Sequence, residues 1–192
     1  MSLNKVLVTG SSNGLGKHIA LFYSKKGYDI LLHGRDEKKL KETQEEILKN
    51  GCEAKYIVAD LVKNNDIDKL CETAKKFNIN VLINNAGVIC PNLTFENIDN
   101  KIIDEMINVN LIAPIKIIRK LSKNLKNIIN INSMVGLEAK KNRTLYAASK
   151  WGLRGFSDSL KKEDVKYNIL DVYPTNIKTW QDREDAMEID FV

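Results

Sequence analysis

Residues that staple, kink or metallate a protein are scarce in this 192-residue chain, which holds three prolines, three cysteines, two histidines and two tryptophans. Cys52, Cys71 and Cys90 are odd in number and lack metal-ligand spacing, so they read as reduced thiols of a cytosolic protein and not as a disulfide framework. His18 and His33 have no ligand partners at useful spacing, and no metal is expected. No apolar run approaches the roughly 20 residues of a membrane-spanning helix. The N-terminus leads straight into a strand pattern, where a signal peptide would place its apolar core. Blocks of one charge sign are missing too. Thirty Lys and Arg against 25 Asp and Glu leave a net charge of +5, and the two signs interleave, as in Asp36-Glu37-Lys38-Lys39. That mixture is a solvated helix face and argues against a nucleic-acid partner.

What remains is ordinary globular chemistry. Hydrophobic residues make up 43% and charged residues 29% of the chain, enough for one domain over residues 1–192 with a substantial core. Short apolar runs at Lys5–Thr9, Asp29–His33, Ala54–Ala59, Val81–Asn84, Ile128–Asn132 and Ile169–Tyr173 read as strands. Between them lie helical patterns at Gly14–Lys26, Glu37–Asn50, Asn65–Phe77, Lys101–Lys123 and Tyr146–Glu163. Strict alternation predicts an α/β domain with a mainly parallel sheet and right-handed crossovers. Pro114 falls inside the fourth helical pattern and predicts a kink or break near Ala113.

The first strand runs into Thr9-Gly10-Ser11-Ser12-Asn13-Gly14-Leu15-Gly16, with a helix pattern directly after. Glycines there permit a tight turn and close backbone approach to a pyrophosphate, while the helix N-terminus offers amide donors. Eighteen residues after Gly16 the second strand ends in His33-Gly34-Arg35-Asp36. An acid at that tip selects NAD, whereas an arginine receives the 2′-phosphate of NADP. The tip is the small Gly34, Arg35 follows, and Asp36 reads as the start of the next helix. NADP(H) is therefore the preferred cofactor, with NAD(H) possible.

Tyr146 and Lys150, four apart in a helical pattern, share one face about one turn apart. A nearby ammonium favours the ionised phenol, so Tyr146 is expected below the ordinary tyrosine range and fit for acid–base work. Ser133, thirteen residues upstream, closes the fifth strand pattern.

Taken in order, these segments resemble the short-chain dehydrogenase/reductase family over roughly residues 3–179. Thr9 to Gly16 is similar to its T-G-x-x-x-G-x-G cofactor motif, and Asn84-Asn85-Ala86-Gly87 to its N-N-A-G segment. Asp60-Leu61 is similar to the pair whose acid caps the adenine amino group. Asn110, Ser133, Tyr146 and Lys150 fall on the family's catalytic tetrad. The resemblance implies a Rossmann-type doubly wound sheet and cofactor contacts from Thr9 to Gly16, from Gly34 and Arg35, from Asp60 and Leu61, and from Asn85, Ala86 and Gly87. Further contacts would come from Tyr146, Lys150, Pro174, Ile177 and Thr179. Tyr146 would exchange a proton with the oxygen of a small carbonyl or alcohol substrate, and Ser133 would hold that oxygen. Lys150 would bind ribose hydroxyls and stabilise the phenolate, with Asn110 holding a water that links Lys150 to solvent. A homodimer or homotetramer is implied as well.

Two departures stand out. Thr175 takes the place of the glycine in the family's P-G pair after Pro174, and only thirteen residues follow Thr179. About six strands are expected, with helices on both faces and the family's seventh strand missing. Those departures keep open a second reading, a dinucleotide-binding sensor without turnover. Trp151 points off the catalytic face as a packing or subunit-interface residue, while Trp180 is a candidate for substrate contact. Met134 and Leu137 are candidates for the substrate pocket or the core.

Overall fold

The computed structural model describes residues 4–89 and 93–175. Six strands form one parallel sheet in the order β3-β2-β1-β4-β5-β6. They are β1 (Lys5–Val8), β2 (Asp29–Gly34), β3 (Ala54–Val58), β4 (Val81–Asn84), β5 (Asn127–Ile131) and β6 (Asn168–Val172). The helices are α1 (Gly14–Lys25), α2 (Glu37–Leu48), α3 (Asn64–Phe77), α4 (Asn100–Ile107), α5 (Ala113–Leu121) and α6 (Thr144–Leu160). This is the doubly wound Rossmann order, whose direction reverses between β1 and β4.

Side-chain alternation along the strands divides the core. Val6, Val8, Ile30, Leu32, Val81 and Ile83 face α1 and α2. Leu7, Leu31, Leu82 and Ile128 face α3 and α5, with Phe156 and Leu160 of α6 at the margin. Central strands covered on both faces read as unbroken apolar runs, and that is why the sequence shows them so clearly. Each fully buried Leu or Ile contributes about 1.5–3 kcal/mol. At the margin the pattern weakens. Leu170 of β6 is 57% exposed, and no seventh strand pairs with β6 among the described residues. Residues 176–192, on which a seventh strand, Ile177, Thr179 and Trp180 would fall, lie outside the described residues, as does Cys90. Among the described residues no helix is long and apolar enough to cross a membrane.

The long fourth helical pattern does not break at Pro114. Instead α4 and α5 are joined by a π-helical stretch over Asn108–Ile112, and Pro114 sits in the first turn of α5. A missing N–H is tolerated there because the widened turn precedes it. The starts of α2 and α4 carry side-chain caps from Asp36 and Asp99. Asp36 caps α2 by accepting the Lys39 N–H at 3.2 Å, and the α2 backbone amides hold its carboxyl below the usual range.

Candidate active site

The glycine turn follows β1 and the Asn84–Gly87 segment follows β4, so the two lie side by side at the switch point, where open α/β sheets place their ligands. Thr9 locks them together. Its Oγ1 accepts the N–H of Asn85 and of Ala86, each at 3.0 Å. The Asn85 amide donates to the carbonyls of Thr9 and Gly10 at 2.9 and 3.1 Å. Gly10 adopts φ +67° with Ala86 against its back: a Cβ there would meet the Ala86 Cα at 2.8 Å. At Gly16 a Cβ would lie 2.2 Å from the Gly10 carbonyl oxygen. Only hydrogen fits.

His33 completes the turn from below, a role its sequence context did not signal. It is buried, with Nδ1 accepting the Gly10 N–H at 3.2 Å and Nε2 donating to the Ala59 carbonyl at 3.1 Å. Burial drives its pKa down to about 4, so the neutral Nε2–H form is the one that fits this pair of bonds. Ser11 exchanges bonds with the His33 backbone and is fully buried. Thr9 and Ser11 therefore shape the turn from inside and do not line the cleft.

The cleft above this turn encloses about 420 Å³. It is lined by Gly10, Ser12, Asn13, Gly14, Leu15 and Gly16, by Gly34 and Arg35, by Asp60 and Leu61, and by Asn85, Ala86 and Gly87. His33, Asp36, Lys39, Ala59, Val88, Ile89 and Val109 also line it, although none of them is a cofactor contact expected from the sequence. A lysine three residues past a capping acid looks like any helix surface residue until the fold turns it toward a cavity. The first turn of α1 carries no acidic side chain, and Asn13 makes no side-chain cap. Its amide donors thus meet the cleft without a protein carboxylate, an arrangement that suits an anion. The residues present fit a dinucleotide.

Val88 of the cleft wall links it to two of the tetrad positions, Asn110 and Tyr146. Asn110, in the π-helical stretch, accepts the Val88 N–H at 2.7 Å and donates to the Val88 carbonyl at 2.9 Å and Ser149 Oγ at 3.1 Å. Its side chain is fully committed to protein partners. A water at this position would therefore be held by the Asn110 backbone and not by its side chain. Ser133 ends the loop after β5, and its Oγ accepts the Val135 N–H at 3.2 Å. The Tyr146 phenol lies beside Ser133, whose side chain favours its ionised form, and packs in the cluster with Val88 and Met106. Lys150 is only 4% exposed; its Nζ donates to the Ile131 carbonyl at 2.9 Å and lies 5.7 Å from the Tyr146 ring centre. The Pro174 carbonyl accepts the Met134 N–H at 3.2 Å, bracing the loop that carries Ser133.

One expectation is overturned. Burial raises the Tyr146 pKa; the Ser133 side chain and the charge of Arg143 oppose that rise without reversing it. Lys150 is itself buried, with a pKa lowered to about 8, and its ammonium bonds a backbone carbonyl. Sequence spacing brought the two side chains to one helix face but carried no information on desolvation. Trp151 does leave the catalytic face: its indole N–H donates to the Val135 carbonyl at 2.9 Å while the ring stays 46% exposed. Cys52 and Cys71 are free thiols, both raised by burial, Cys71 to about 11.

The sequence profile described as short chain dehydrogenase matches residues 4–188. The chain belongs to the short chain dehydrogenase family. Among similar proteins, an uncharacterized oxidoreductase of Thermotoga maritima is 31% identical over 171 residues, 85% of this chain and 67% of that protein. The 3-oxoacyl-(acyl-carrier-protein) reductase of Rickettsia typhi is 34% identical over 82% of this chain and 65% of its own length. Among solved structures, a short-chain dehydrogenase of Sphingobium yanoikuyae in complex with NADPH superposes with a TM-score of 0.91 at 25% identity, covering 98% of this chain and 80% of that one. A metagenomic short-chain oxidoreductase in complex with NADP gives 0.81 at 30% identity, covering 90% and 81%. This short chain dehydrogenase spans about two thirds of the length of those curated relatives. It is an oxidoreductase by family.

Proposed function

We propose that the protein is an NADPH-preferring oxidoreductase that interconverts a carbonyl and an alcohol on a small organic substrate. The observation that carries this reading is the meeting of Ser133, Tyr146 and Lys150, with Ser133 beside the Tyr146 phenol and Lys150 buried with its Nζ 5.7 Å from the Tyr146 ring centre. Relatives solved with NADPH or NADP support the cofactor, and so does Arg35 on the cleft wall. The glycine turn would hold the pyrophosphate, Asp60 the adenine and Lys150 the nicotinamide ribose. Bound there, the nicotinamide supplies the hydride.

The chain's own groups handle the proton and the oxygen. Ser133 Oγ donates to the substrate oxygen and fixes it beside Tyr146. The Tyr146 hydroxyl gives its proton to that oxygen as charge develops on it, and its raised pKa keeps it protonated for this step near neutral pH. Lys150 then faces a phenolate, and its positive charge stabilises it. Reprotonation runs from solvent through Lys150 and a water held by the Asn110 backbone. Reduction is the favoured direction because NADPH commonly supplies reducing equivalents. The protein works in the cytosol as a homodimer or homotetramer, packed through the helical stretch that contains Asn110 and through α6.

The test is fluorescence titration with NADPH and NADH, followed by cofactor oxidation against aldehydes, ketones and diketones. Tyr146→Phe is expected to lower kcat by about 10²–10⁴-fold, the range for loss of a positioned acid, with cofactor affinity retained. Retention of most activity would sink the assignment. Tight binding with no turnover on any carbonyl would turn the reading toward a dinucleotide-binding sensor.

A further inference from the structure

Arg35, which follows β2, lines the cleft, and Glu105 of α4 meets it from outside the lining. Glu105 belongs to α4, four residues before the cleft-lining Val109, so it projects on about the same helix face. The two side chains meet, with Arg35 Nη1 and Glu105 Oε1 3.2 Å apart. Residues 70 positions apart in sequence thus join at the Arg35 wall of the cleft. Lys39, the other basic side chain on this wall, has its Nζ 3.5 Å from Asp36 Oδ2. Both cations that could receive a phosphate are already engaged by carboxylates.

We propose that Glu105 is a specificity-determining residue: its carboxylate competes with the cofactor's 2′-phosphate for Arg35 and so weakens the preference for NADP(H) over NAD(H). This rests on the NADP reading above. A phosphate arriving at Arg35 either displaces Glu105 or sits beside its negative charge, and both outcomes penalise the phosphorylated cofactor alone. A dinucleotide with a free 2′-hydroxyl leaves the ion pair intact. The pair is half open to water, with side chains 68% and 34% exposed, so the effect is modest and salt-sensitive. It is nonetheless selective. Arg35 recognises the phosphate, and Glu105 sets how much that recognition is worth.

Calorimetric titration with adenosine 2′,5′-bisphosphate and with 5′-AMP reads this without any turnover. The variants are Glu105→Gln, Glu105→Ala, Arg35→Ala and the Arg35→Ala/Glu105→Gln double variant, with NADPH and NADH titrations alongside. Removing the carboxylate is expected to strengthen bisphosphate and NADPH binding by about threefold to tenfold. Binding of 5′-AMP and NADH should stay within twofold of the parent, and the gain should vanish without Arg35. A weaker grip on the bisphosphate in both Glu105 variants would overturn the proposal, since Glu105 would then be orienting Arg35 for phosphate. No change, or an equal gain for 5′-AMP, would overturn it as well. Failure of the underlying reading looks different. In that case the parent binds both fragments alike, and Arg35→Ala changes them equally.

Discussion

Gly16 is where a single hydrogen atom decides whether the cofactor turn can close. A methyl group at this position would lie 2.2 Å from the Gly10 carbonyl oxygen and 2.4 Å from the Asn85 amide nitrogen. Both are held in place, the first by the turn and the second by its bonds to the Thr9 and Gly10 carbonyls. Neither can retreat cheaply. Gly16→Ala is therefore expected to cost about 1–3 kcal/mol of stability through overpacking and to weaken dinucleotide binding by at least tenfold. Thermal melts and cofactor titration check the two effects separately. Tyr146→Phe belongs at this scale too, since it removes one oxygen atom and leaves the packing against Val88 and Met106 in place.

Elements act through the seams between them. Asn110 staples the π-helical stretch to the loop after β4 with three side-chain bonds, two to Val88 and one to Ser149 of α6. Asn110→Ala would leave the Val88 N–H and carbonyl without these partners, at a cost of about 1–3 kcal/mol for such an unmade bond in a buried setting. A lower melting temperature is expected together with a loss of turnover, because Val88 bridges the cleft and the Tyr146 pocket. An unchanged melting temperature would mean that the staple is not structural. A second seam ties β5 to α6 and β6: Asn130 donates to Ser157 Oγ and to Asp171, and Ser157 also donates to Asp171. Lys161 closes this chain on Asp171 at 2.6 Å. The network anchors the edge strand to the helix that carries Tyr146 and Lys150.

At the scale of the whole molecule, two buried bases give stability a pH dependence of one sign. His33 titrates at about 4 in the fold and near 6.5 when unfolded. Below about pH 6.5 the unfolded chain takes up a proton that native His33 refuses, so its contribution is complete above that pH and is lost as pH falls toward 4. The loss is on the order of 3 kcal/mol. Lys150 titrates at about 8 in the fold and near 10.4 unfolded. Across that window the unfolded chain again holds the extra proton, so stability rises with pH. Thermal midpoints should climb in both windows. His33→Gln should flatten the acid limb, and Lys150→Met the alkaline one. Turnover runs the other way on the alkaline side, since uncharged Lys150 no longer stabilises the phenolate. The rate of carbonyl reduction should fall above about pH 8.

Local chemistry was enough for much of this molecule. The four interior strands announce themselves as apolar runs, and the edge strands β3 and β6 do so more weakly. The glycine turn needs glycines at those positions for steric reasons, and the four-residue spacing of Tyr146 and Lys150 follows from helix geometry. Other features depend on distance in space. The inward turn of Thr9 and Ser11, the strut formed by His33, the commitment of the Asn110 amide to Val88 and the Arg35–Glu105 pair join residues 22 to 77 positions apart. Desolvation at Tyr146 and Lys150 likewise comes from neighbours that only packing assembles. Patterns along a chain specify elements because steric and hydrophobic preferences act locally. Burial, charge pairing and pKa are decided by what the folded sheet and helices bring together from elsewhere.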